Sequence, residues 1–103
     1  MSKWTDTIEL INNFPAAYHF TPKGFNRQIG GSSEVSGLYV NYLHKAGYLQ
    51  RMSRGVYIQI RPIPPELTLT KLKRFVYPDG VSQKERKMMI NRYWKIHDII
   101  NKI

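Results

Sequence analysis

The chain of 103 residues contains no cysteine, so disulfide bonds and thiolate metal sites are excluded. The absence of cysteine is consistent with a protein of a reducing compartment. It has no apolar run close to the roughly 20 residues that span a bilayer. The stretch 1–14 carries two acidic residues within an apolar pattern, unlike a signal peptide. We therefore expect a cytoplasmic protein that does not enter a membrane.

Acidic residues are scarce: 7 Asp and Glu stand against 16 Lys and Arg, a formal net charge of +9. The carboxylates form no spaced cluster for two catalytic metal ions, and no histidine has a ligand three or four residues away. We expect no enzyme activity, no cofactor and no metal site. The excess of positive charge predicts a negatively charged partner, which nucleic acid, an anionic membrane or an acidic protein would each provide. A basic protein without such a partner is the plain alternative.

The spacing of apolar residues, together with the positions of Gly and Pro, predicts a mainly helical chain with one β-hairpin. The hydrophobic fraction of 42% is sufficient for a buried core. The predicted helices cover 5–14, 22–29, 33–46, 66–75 and 82–102, the predicted hairpin strands cover 48–51 and 56–60, and 17–20 is a possible short β segment. Capping residues support these bounds, namely Thr5 or Asp6, Thr21 before Pro22, Ser32 or Ser33, Gly30, Gly47 and the Ser82–Glu85 capping box.

The helix predicted over 33–46 has one apolar arc and one small, polar face. At 100° per residue, Val35, Tyr39 and Leu43 fall on the apolar arc. The opposite face carries Ser33, Glu34, Gly37, Asn41, His44 and Lys45. Small residues let a helix approach a DNA groove closely, and Asn offers the donor and acceptor that match adenine. An ordinary surface helix, with a glycine tolerated at a cost of ~1 kcal/mol, is the other interpretation.

This helix is followed by Leu43-His44-Lys45-Ala46-Gly47-Tyr48-Leu49, and the chain then returns through Arg54-Gly55-Val56-Tyr57. The segment 5–60 resembles the winged helix-turn-helix family of DNA-binding proteins, in the repressor-like branch in which a recognition helix ends in Leu-x-x-x-Gly-x-Leu and enters a β-hairpin wing. The resemblance implies a positioning helix at 22–29, a recognition helix at 33–46 and a wing at 48–60. It divides the chain into a winged-helix domain over 1–63 and a C-terminal helical extension over 64–103.

The resemblance implies that double-stranded DNA is the partner, and that the protein is a small transcriptional regulator or a nucleoid-associated factor. The recognition helix lacks an outward-facing Arg, the commonest reader of guanine, so strong sequence specificity is not expected. A protein-interaction module that docks an acidic partner, such as polymerase or a nucleoid protein, is the main alternative, and RNA binding is a third. The expected DNA-contacting residues are Lys23, Arg27, Ser32, Ser33, Gly37, Asn41, His44, Lys45, Arg51 and Arg54.

Five apolar residues of the long C-terminal helix repeat at spacings of four and three, which is typical of a heptad seam. They are Met89, Tyr93, Ile96, Ile100 and Ile103. A helix that packs its apolar face on the rest of its own domain would have apolar residues at the same spacing. Relatives of this branch often dimerise through terminal helices, so the resemblance favours a homodimer that reads two half-sites. The basic residues of the helix either extend the DNA-binding surface or form its solvated face.

Overall fold

Five α-helices and one β-hairpin form the chain in a computed structural model, which describes residues 3–30 and 32–102 without the side chain of Ser33. The mainly helical prediction with a small hairpin is confirmed at this level. The elements are α1 (Lys3–Asn12), α2 (Pro22–Ile29), α3 (Ser33–Lys45), β1 (Leu49–Ser53), β2 (Val56–Gln59), α4 (Leu69–Val76) and α5 (Gln83–Asn101).

Helix α1 includes residues 3 and 4, ahead of its predicted start, so the predicted cap at Thr5 or Asp6 is wrong: both residues lie inside the helix. The helix has the predicted length but lies two residues earlier, and its early start is explained by Trp4, which is buried and whose indole N–H donates to the Leu67 carbonyl at 2.8 Å. At the other end, the Asn12 side chain accepts from the Ile63 N–H at 3.1 Å and donates to the Ile63 carbonyl at 2.8 Å. The side chain of Asn12 thereby holds the loop that follows β2.

Helices α2 and α3 begin and end at local signals, as predicted. The Thr21 hydroxyl caps α2 by accepting from the Gly24 N–H at 2.9 Å, and Gly30 ends the helix with a left-handed φ of 68°. The two helices are joined by a hydrogen bond of 3.0 Å from the buried Ser36 hydroxyl to the Asn26 carboxamide oxygen. This bond, together with the burial of Phe25 in the core, fixes how α3 lies against α2.

Strands β1 and β2 pair antiparallel, with Arg51 opposite Tyr57 and a bulge at Met52. The turn uses Gly55, whose φ of 76° suits a residue without a Cβ. On the other edge of β2, Phe20 and Tyr57 exchange two backbone hydrogen bonds of 2.9 Å. The β segment considered for 17–20 is therefore a single bridge at Phe20, and β2 lies between Phe20 and β1.

Helices α4 and α5 pack on the same hydrophobic core as the N-terminal half, because Leu72, Val76, Ile90 and Trp94 are buried in it. Helix α5 begins at the predicted capping serine, whose hydroxyl accepts from the Glu85 N–H at 3.3 Å. Within the described residues, no helix combines the length and apolar character that crossing a membrane requires.

A bidentate ion pair ties the loop after β2 to α5. Arg61 donates to both oxygens of Asp98, at 2.6 and 3.1 Å, and stacks 4.3 Å from the Trp94 ring. The hydrogen bond from Arg61 holds the pKa of the Asp98 carboxyl below its ordinary value of 3.8. Across residues 3–30 and 32–102, ion pairs join only Arg61 and His97 to Asp98. No other lysine or arginine of these residues forms an ion pair with a carboxylate.

Candidate nucleic-acid interface

An open groove of about 390 Å³ lies where α3, the β-hairpin and the start of α5 meet. Four of its lining side chains are Lys or Arg, and none is a carboxylate. Cations grouped in a concave, partly desolvated surface raise the local positive potential and concentrate anions there. The lining residues are Asn41, His44, Lys45, Arg51, Tyr57, Arg86 and Lys87.

Helix α3 faces the groove with its C-terminal half. Its inward face is centred on Ser36, Val40 and Leu43, which are essentially inaccessible. The centre of the inward arc is therefore shifted from the one proposed from the sequence, since Val35 and Tyr39 are only half-buried. The shift follows from the hydrogen bond of Ser36 to α2, which draws a polar residue into the interior.

The outward face of α3 is open at its middle. Gly37 is half-buried, and a Cβ built on it would meet no atom within 4 Å. Asn41, one turn further on, is half-buried and lines the groove. Glu34 and Leu38 are exposed on this helix. A phosphate would be repelled by Glu34, so anion contacts belong at the C-terminal half of α3 rather than at its first turn.

The side chain of His44, near the end of α3, packs against the hairpin. Its Nδ1 is 3.3 Å from the Leu49 carbonyl oxygen, and its ring packs edge-on to Tyr57 at a centroid distance of 5.6 Å. The imidazole is therefore held in place by two elements, and it presents only part of its surface to the groove.

Cations and tyrosine rings alternate next to the groove. Lys45 donates to the Tyr77 hydroxyl at 2.6 Å and lies 5.2 Å from that ring, and the Arg86 guanidinium lies 5.0 Å from the same ring. Tyr77 packs edge-on to Tyr42, which in turn has Lys73 5.8 Å from its ring centroid. Each such contact contributes about 0.5–2 kcal/mol and holds a cation in place without neutralising it.

The hairpin has one arginine that lines the groove and a second arginine in the turn at the tip of the hairpin. Arg51 lines the groove next to Tyr57, its partner across the strands. Arg54 is exposed in the turn, and the bulged Met52 is 46% exposed. Arg51 therefore shares the groove with the C-terminal half of α3, and Arg54 is open to solvent at the turn.

Of the residues expected to contact DNA, the structure brings Asn41, His44, Lys45 and Arg51 together. Lys23 and Arg27 are exposed on α2 and do not line the groove, and the Ser32 hydroxyl is engaged as the cap of α3, accepting from the Val35 N–H at 3.2 Å. The expectation for the Ser33 side chain lies outside the described residues.

The expected contact set omitted Tyr57, and it left Arg86 and Lys87 among five basic residues of the C-terminal helix that either extend the DNA-binding surface or form its solvated face. The sequence places Tyr57 near Arg51 across the predicted hairpin, although the direct pairing of the two residues depends on the bulge at Met52. The sequence carried no such signal for Arg86 and Lys87, because their place in the groove depends on how α5 packs against α3. No three His, Asp or Glu side chains within the described residues are arranged to hold a metal ion.

The apolar row of α5 does not take part in the core. Met89, Tyr93, Ile96 and Ile100 are each about half exposed or more, whereas the buried face of the helix is formed by other residues, among them Trp94. The last residue of the expected row, Ile103, lies outside the described residues. The row borders an apolar groove of about 440 Å³ between α4 and α5.

No protein-family model matches the chain, and no similarity to a curated protein or to a solved structure is found.

Proposed function

We propose that the protein binds double-stranded DNA, as a small transcriptional regulator or nucleoid-associated factor. The single observation that carries the proposal is the groove between α3, the hairpin and the start of α5, which has four cations and no carboxylate. In this proposal α3 enters the major groove, and the hairpin with Arg51 and Arg54 follows the neighbouring backbone or minor groove.

The arrangement of elements supports a winged helix-turn-helix. Helices α2 and α3 follow each other in the chain and are linked by the Ser36–Asn26 hydrogen bond, and a hairpin follows α3 directly. The bridge between Phe20 and β2 adds a short third segment to that hairpin. The open surface at Gly37 allows close approach of a duplex, and Asn41 is the residue suited to reading an adenine edge.

Binding is expected to depend mainly on phosphate contacts. Five cations, the four of the groove and Arg54, would release about five counterions from the duplex. Affinity should then fall by roughly two to three orders of magnitude when salt rises from about 50 to 200 mM. Because the outward face of α3 offers no Arg to a guanine, the affinities for different sequences are expected to lie close together.

We further propose that a second copy of the chain covers the apolar row of α5. The intrachain interpretation of this row is disfavoured because its residues remain exposed while Ile90 and Trp94 fill the core. Residues at heptad spacing form a seam that complements itself, as a two-fold interface requires. A two-fold dimer would present two copies of the groove to two half-sites of one duplex.

A second candidate is docking of an acidic protein on the same face. Leu38 and Met52 favour it, since they are 45% and 46% exposed on α3 and the hairpin. Apolar side chains between cations suit a protein interface, although a leucine in the major groove also contacts a thymine methyl group.

The proposal is tested by measuring duplex affinity for the double variant Arg51→Ala/Arg54→Ala. We expect a loss of at least about tenfold, and a decrease of about 2 in the slope of log K against log salt, because two phosphate contacts are removed. The matched control is Lys71→Ala/Lys95→Ala, which removes the same charge from exposed residues outside the groove.

Equal losses in the two double variants would contradict a specific role for the hairpin and leave only a general effect of charge. Absence of duplex binding by the wild-type protein, with binding to an acidic protein that depends on Leu38 and Met52, would favour the second candidate.

A further inference from the structure

Arg86 is largely buried and has no carboxylate partner within residues 3–30 and 32–102. Only 5% of its surface is exposed, and its Nε is fully buried without a hydrogen bond. Within the described residues the guanidinium forms no ion pair, and it lies 5.0 Å from the centroid of the Tyr77 ring. A second cation, Lys45, lies next to the same tyrosine ring.

This arrangement is unfavourable in the free protein. Arginine stays protonated at any physiological pH, so burial cannot be relieved by loss of the charge. A buried ion normally has a counter-ion or hydrogen bonds, and a stack on one tyrosine offsets only part of the desolvation. Two cations against the same ring also repel each other. These features are expected of a site whose counter-ion comes from a ligand.

The shape of the site indicates which anion it takes. Arg86 lines the groove together with Lys45, Arg51 and Lys87, and no carboxylate lies among them. A guanidinium presents parallel N–H donors that match two oxygens of one phosphate, and lysines at its sides match a third. A phosphate, tetrahedral and negatively charged, fits this set of donors.

We propose that the Arg86 groove is a phosphate-binding site that holds one phosphodiester of the bound duplex. Arg86 donates from the floor of the groove, and Lys45 and Lys87 donate from its sides. This inference rests on the proposed function. It adds that α5 contributes a contact with the DNA backbone, in addition to the contacts of α3 and the hairpin. It also adds that the position of Arg86 serves DNA binding and not the stability of the fold.

The test compares Arg86→Gln with Lys95→Gln, which removes the same charge from an exposed position nine residues along the same helix, roughly half a turn around its axis. We expect Arg86→Gln to weaken duplex binding at least about tenfold and to lower the salt slope by about 1. Its melting temperature in phosphate-free buffer should be unchanged or higher, because a buried unpaired charge is removed. Lys95→Gln should change affinity by less than about threefold.

A second measurement uses the wild-type protein and needs no variant to fold. Inorganic phosphate should raise its melting temperature in a saturable way, beyond chloride at equal ionic strength. Arg86→Lys, which keeps the charge but not the paired donors, should weaken this effect.

Each other outcome has a distinct meaning. Unchanged duplex affinity of Arg86→Gln would overturn the site and leave the proposed function intact. A lower melting temperature of Arg86→Gln, with no phosphate effect on the wild type, would show that Arg86 is structural. Stabilisation by inorganic phosphate without any duplex binding would overturn both the proposed function and the assignment to a DNA backbone, and would leave a site for free phosphate.

Discussion

Gly47 joins α3 to β1 where Trp94 of α5 reaches the chain. Its φ is 94°, and a Cβ there would lie 2.7 Å from Trp94 Cδ1, while the indole N–H of Trp94 donates to the carbonyl of Ala46. We expect Gly47→Ala to lower the free energy of unfolding by about 2–4 kcal/mol, since it combines a left-handed φ with overlap against a buried ring. Chemical denaturation measures this directly.

Gly55 provides the matched control for this substitution. Its φ is also positive, 76°, but a Cβ there would meet nothing within 4 Å. Gly55→Ala should therefore cost only the conformational part, about 1–2 kcal/mol. Equal costs at the two positions would contradict the close packing of Trp94 over Gly47.

The sequence predicts the structural role of some single residues and not of others. Gly47 was predicted to follow α3 because the need for a left-handed residue after a helix is local. The burial of Arg86 was not predictable, since Lys84, Arg86 and Lys87 look alike in a basic helix. Only the packing of α5 against Tyr77 and the groove distinguishes them.

The same division holds for helices and strands. The bounds of α2 agree with the prediction because a capping threonine, a proline and Gly30 all act within a few residues. The start of α1 was missed because it depends on Trp4, whose hydrogen-bond partner Leu67 is 63 residues away. Helix α4 begins at Leu69, later than expected, because Thr68 caps it by accepting from the Lys71 N–H at 3.2 Å.

The apolar row of α5 gives a test of the proposed dimer. We expect the wild-type protein to sediment at twice the chain mass of 12.1 kDa, and Ile96→Glu to sediment as a monomer, because a charge would be buried in the seam. Ile96 is half exposed in the single chain, so its substitution should leave the melting temperature of the monomer nearly unchanged.

Met88→Glu is the control for that measurement. Met88 is as exposed as the residues of the row, but it falls outside the spacing of four and three. The Met88→Glu variant should therefore remain dimeric. A wild-type protein that stays monomeric at high concentration would contradict the seam, and it would leave the proposal for the cation-lined groove unaffected.

The distribution of charge over the molecule connects these observations. The net charge of +9 was evident from composition, and it predicted an anionic partner without indicating where that partner binds. The location depends on the packing of α5 next to α3 and the hairpin, which brings Arg86 to the same groove as Lys45 and Arg51. Helix and strand patterns report the elements, whereas the contacts between elements decide the site.

The most direct test of the proposed interface is to record amide chemical shifts while a short DNA duplex is added. We expect the largest changes at Gly37, Asn41, Arg51, Arg54 and Arg86, with little change at Ile96 unless the oligomeric state changes as well. Changes confined to α1 or to the apolar row of α5, or no changes at any duplex concentration, would contradict it.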